Sequence, residues 1–133
     1  MYISSNDKER IKADESITQS FRNTFLVVSK NRLLVTYGCP LYRLMVELSA
    51  TDKEFDAVLS TKVNEMKGGI KMMLEQGIAL GEFDKSLNSE SFATYMLTSV
   101  WGILSLSPSL SSSKTFLIQS QYILDSLDAY KLT

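Results

Sequence analysis

YGCPLYRLMVELSATDKEFDAVL, residues 37–59, decides how the rest of the chain is read. It opens on a Gly-Cys-Pro corner. Pro40 suits the first position of a helix, because the N–H it lacks would have no partner there. Leu41, Leu44, Met45 and Leu48 then share one face, and Arg43 and Glu47 sit four apart on the other side, where they can pair. The spacing predicts a short helix over about 40–49. Thr-Asp-Lys-Glu at 51–54 predicts a capping box, with Thr51 accepting the Glu54 amide and Glu54 reaching back. A long helix follows, over about 52–80, on the stripe Phe55, Leu59, Val63, Met66, Ile70, Met73 and Gly77. Gly68 and Gly69 interrupt that stripe, and such a pair permits a bend or a close neighbour. Gly81 predicts the stop.

The periodicity on either side is also helical. Ile17, Phe21, Phe25 and Val28 mark a first helix over about 14–29. Asn88 predicts the N-cap of a fourth, with Leu87 able to staple against Phe92. That helix ends by Ser107, because Pro108 prevents continuation. A fifth spans about 113–130 on Phe116, Leu117, Ile118, Tyr122, Ile123, Leu124 and Leu127. The expected fold class is all-α, a bundle of about five helices. Residues 1–13 read as a lead-in or the remnant of an earlier helix, and 14–133 as one domain.

Composition narrows the chemistry. The 133 residues carry 14 basic and 15 acidic side chains, well mixed, which gives no basic face for nucleic acid and no polybasic membrane anchor. There is no histidine. That excludes Cys–His and Ser–His–Asp nucleophilic sites and histidine-ligated zinc. Cys39 is the single cysteine, so it has no disulfide partner and no histidine to activate it. It reads as a small packing residue at a helix start. Asp52, Glu54, Asp56, Glu82 and Asp84 read as caps and solvated faces. The N-terminus is polar and charged, unlike a signal peptide. FATYMLTSVWGILSL, 92–106, falls short of the ~20 residues that span a bilayer. The expectations are no enzyme, no cofactor, no metal, no membrane and a cytoplasmic protein.

On a helical wheel, Thr94, Thr98 and Ser105 fall in one narrow stripe, and apolar and glycine positions cover roughly 240° of the remainder. A surface helix needs an apolar arc of about 100° or somewhat more. Two arrangements answer this: a subunit interface built from the fourth and fifth helices, or a central core helix with ordinary neighbours.

Three stretches now carry a resemblance. YGCPLYRLMVELSATDKEFDAVL resembles the GC-x-L-x-x-L-x-x-E-L segment and following D-x-E-L/F helix start of TetR/AcrR-type transcriptional regulators. IKMMLEQGIALGEF (70–83) resembles their long-helix ending, and LNSESFATYMLTSVWGILSL (87–106) their D-x-E-x-x-A segment and dimer helix. Pro40 stands where that family usually has another apolar residue. The family's N-terminal helix-turn-helix head has no counterpart in this sequence.

The resemblance implies a C-terminal regulatory domain that binds a small inducer inside the bundle and dimerises through its last two helices. DNA would be reached only through an N-terminal head not present in this chain. For the pocket it points to Phe21, Phe25, Met45, Met66, Ile70, Met73 and Met96, with Tyr42 and Tyr95 as hydroxyl donors. Each apolar residue is also what plain core packing would place there, and the two tyrosines equally suit a surface position with the hydroxyl in water. Six methionines suit an adaptable apolar cavity, and the expected inducer is neutral and hydrophobic. For the homodimer it points to Phe92, Met96, Val100, Trp101, Ile103, Phe116, Ile123, Leu124 and Leu127. The alternative is a stand-alone helical ligand-binding or interaction module with no DNA role.

Overall fold

The computed structural model describes residues 16–31, 35, 47–105 and 112–132. Four helices lie within them: α1 (Ile17–Ser29), α2 (Lys53–Ala79), α3 (Ser89–Ser105) and α4 (Ser113–Asp128). The short helix expected over 40–49 lies mostly outside the described residues, and its positions Glu47 and Leu48 are helical.

α1 begins at Ile17, three residues later than its apolar period suggests, because Ser16 caps it: the Gln19 amide donates to Ser16 Oγ at 3.0 Å. The cap of α2 also sits one residue later than the capping box predicts. Asp52 accepts the Phe55 amide at 3.0 Å, whereas the Thr51 hydroxyl donates backwards to the Leu48 carbonyl at 3.3 Å. Thr51 therefore closes the preceding turn, and the aspartate next to it takes over the capping.

Gly68 and Gly69 neither break α2 nor admit a neighbour, since nothing stands within 4 Å of a Cβ built on either. Gly81 does end the helix. Its φ of +81° is the left-handed conformation that glycine adopts without strain. The amides of Gly81 and Glu82 then fold back onto the carbonyls of Ile78 (3.1 Å) and Gly77 (2.8 Å), which is the Schellman pattern. Asn88 caps α3 as expected, accepting the Ser91 amide at 2.9 Å, and Ser112 caps α4.

The most extensive pairing is α2 with α3, followed by α1 with α4; α3–α4 and α1–α2 contacts close the bundle. α1 and α4 run antiparallel. At one end Ser113 Oγ donates to the Ser29 carbonyl at 2.6 Å, and nearby Phe25 meets Phe116 edge to face, with ring centroids 6.2 Å apart. Lys67 and Lys71 on α2 both reach Glu90 at the start of α3, at 2.7 and 3.3 Å. The Lys67 and Lys71 hydrogen bonds hold the Glu90 carboxyl below its ordinary value, and the Ser86 amide does the same for Asp84.

Candidate ligand interior and outer face

Six residues expected around a ligand converge from three helices. Phe21 and Phe25 come from α1, Met66, Ile70 and Met73 from α2, and Met96 from α3; all are buried in one continuous apolar core. Tyr95 is not among them. It is 42% exposed on the outside of α3, with its hydroxyl 3.4 Å from Ser126 Oγ on α4. Tyr42 and Met45 lie outside the described residues.

The sequence pattern gives no sign of one buried polar group on α1. Thr18 on α1 is almost fully buried, and its hydroxyl has no hydrogen-bond partner. The buried hydroxyls of Ser20, Ser29 and Ser120 behave differently, each donating to a carbonyl of its own helix or cap. An unpaired buried hydroxyl is costly unless something occupies it. In sequence Thr18 looks like any helical threonine; its burial comes from the bundle.

The residues expected at the dimer sit mainly inside the chain. Phe92, Met96, Val100, Trp101, Phe116, Ile123, Leu124 and Leu127 are buried within its own core, and Ile103 is half-buried against it. The wheel leaves open whether one chain can surround the apolar arc of α3. The large apolar side chains of α3 are buried in the chain's own core, and α2 and α4 both pack on this helix.

Beyond its first turn, α3 leaves outside Thr94, Tyr95, Thr98 and Gly102, all exposed. No charged residue occurs from Ser91 to Ser105. The hydroxyls on this face are turned into their own helix: Thr94 donates to the Glu90 carbonyl at 3.0 Å, Thr98 to the Thr94 carbonyl at 2.8 Å and Ser105 to the Gly102 carbonyl at 2.9 Å. α4 adds Ile118 and Tyr122, 48% and 64% exposed. The surface is therefore uncharged along α3 beyond Glu90 in its first turn, and it holds few donors that need water.

A sequence profile of the family described as Tetracyclin repressor-like, C-terminal domain matches residues 18–116. The chain belongs to this tetracycline repressor-like C-terminal domain family. Neither a curated protein nor a solved structure matches the chain. The family match carries the all-α regulatory-domain reading, ligand-binding and dimerising in type. Among the described residues, no helix is long and apolar enough to cross a membrane, and no group of three or more His, Cys, Asp or Glu residues is placed to hold a metal.

The partner of Glu82 is the second feature that the sequence hides. Its GEF setting reads as a helix ending, yet its carboxylate caps α1, accepting the Ile17 amide at 2.8 Å across a sequence separation of 65 residues. No local pattern announces a partner that far away.

Proposed function

We propose that residues 14–133 form the ligand-sensing and dimerisation domain of a cytoplasmic transcriptional repressor. A neutral, largely apolar inducer binds among Phe21, Phe25, Met66, Ile70, Met73 and Met96, with Tyr42 and Met45 in the adjoining segment. Binding changes how a DNA-binding head joined ahead of α1 is presented. The Thr18 hydroxyl supplies one directional contact in an otherwise greasy site, which suits a ligand with a single carbonyl, ether or hydroxyl group.

The outer face of α3 and α4 is the observation that carries the reading. Two copies meeting across Tyr95, Thr98, Gly102, Ile118 and Tyr122 bury apolar surface without burying a charge on α3. The small side-chain positions, Gly102 above all, allow the helices to approach closely. The core residues Phe92, Met96, Val100, Trp101, Ile103, Phe116, Ile123, Leu124 and Leu127 then back this face and hold its shape.

A thermal-shift screen of neutral apolar compounds tests the ligand half. The expected result is hits whose stabilisation grows with concentration, as mass action requires, and shrinks in Thr18→Val. Stabilisation by charged compounds alone, unaffected by interior substitutions such as Ile70→Ala, contradicts the apolar interior site.

A further inference from the structure

The turn after α2 joins three parts of the chain. The two Glu82 carboxylate oxygens take the first two amides of α1, Ile17 at 2.8 Å and Thr18 at 3.3 Å. The Glu82 carbonyl accepts the Leu132 amide at 3.0 Å, and the Asp84 amide donates to the Tyr130 carbonyl at 2.8 Å. Between those two bonds, Phe83 and Lys131 form an isolated antiparallel bridge. Beneath them Ile17 and Phe83 are buried against Gly77, where a Cβ would run into the Phe83 ring and come within 3.3 Å of Ile17.

The amides at a helix start carry partial positive charge and have no partners inside the helix. A forked carboxylate delivered from another element satisfies two of them at once, and Ser16 Oγ satisfies the third. Nothing in the first turn of α1 itself supplies an acidic side chain for this purpose. The Schellman turn fixes Glu82 to the last turn of α2. The first turn of α1 is therefore held by a group that belongs, mechanically, to α2.

The geometry points to Glu82 as a coupling latch: it ties the end of α2, whose buried side chains line the apolar interior, to the capped start of α1 at Ser16 and Ile17. A displacement of the last turn of α2 carries Glu82 with it. The start of α1 then either follows or loses its cap. The closing residues 130–132 share the same turn and are released with it. The inference rests on the ligand-sensing reading only for what displaces α2; the latch itself is a property of the fold.

Hydrogen exchange resolved to single amides, on the full chain, tests the latch without any ligand. Glu82→Gln keeps the shape but loses the charge and one acceptor oxygen; Glu82→Asp keeps the charge on a shorter arm. The expected result for Glu82→Gln is exchange about tenfold faster at the Ile17 and Thr18 amides, together with faster exchange at Asp84 and Leu132. Exchange in the middle of α2 and α3 stays unchanged, and Glu82→Asp recovers part of the protection. Unchanged exchange at Ile17 and Thr18 overturns the proposal. So does a uniform rise over all four helices in step with a lower melting temperature, which would make Glu82 a plain stability residue. Failure of the ligand screen leaves these outcomes as they stand, so the two readings are separable.

Discussion

The inner and outer faces of α3 come, from Ser91 onward, from one uncharged stretch, yet they solve different problems. Phe92, Ala93, Met96, Leu97, Val100, Trp101 and Leu104 are buried in the bundle formed with α2 and α4 of the same chain. Thr94, Tyr95, Thr98 and Gly102 face outward with their hydroxyls bonded into their own helix or, for Tyr95, near Ser126. Large apolar side chains thus go to the monomer core, and mostly small neutral ones are left outside. In the proposed dimer, the interface is marked by missing charge rather than by abundant leucine.

The largest expected effect breaks the inner face. Leu104 is fully buried, and Leu104→Ala is expected to lower stability by about 2–5 kcal/mol in urea unfolding. Thr98→Ala on the outer face is expected to change the stability of the monomer by less than about 0.5 kcal/mol. Comparable losses at both positions would mean the outer face also packs within one chain.

Glycines sharpen the same contrast between filled and open space. At Gly77 a Cβ meets Phe83, so Gly77→Ala is expected to cost about 1–3 kcal/mol by overpacking. At Gly68 there is open space, and Gly68→Ala is expected to stabilise α2 by about 0.5–1 kcal/mol. Thermal unfolding of both variants reads the opposite signs directly.

Capping gives a middle-sized test. Asp52→Ala is expected to cost about 1 kcal/mol, and Thr51→Ala less, because Asp52 is the residue that accepts the Phe55 amide. The reverse order in denaturant melts would restore the threonine-based capping box.

The smallest effect concerns pH. The bond from Lys67 holds the Glu90 carboxyl below its ordinary value of 4.5, and the Ser86 amide holds Asp84 below 3.8. A depressed carboxyl stabilises the fold above its unfolded pKa, and that contribution disappears as pH falls through the folded value. Both carboxyls are exposed, so the change is slight. Carboxyl NMR titration of Lys67→Met is expected to return Glu90 toward its ordinary value and leave Asp84 depressed.

The helices are legible in the sequence because each carries a clear apolar period. Ile17, Phe21, Phe25 and Val28 are all buried, as is most of the Leu59–Gly77 stripe. The caps are legible only to within a residue, since Thr51 and Asp52 offer competing oxygens side by side. The apolar interior can be read as a set but not as a geometry. Six of its nine expected residues share one core, Tyr95 points outward, and Tyr42 and Met45 lie outside the described residues. The two faces of α3 are not separable on a wheel, which counts apolar arc without knowing how many helices will cover it. Glu82 and Thr18 are illegible for a related reason: their surroundings are made by residues distant in sequence.

The outer face as the partner surface is the central claim, and light scattering on the purified chain tests it most directly. At concentrations on the order of tens of micromolar, the account predicts a particle of twice the 14.9 kDa chain mass. It also predicts that Thr98→Arg gives a monomer with unchanged helical content. A wild-type monomer, or a dimer that Thr98→Arg leaves intact, would contradict it.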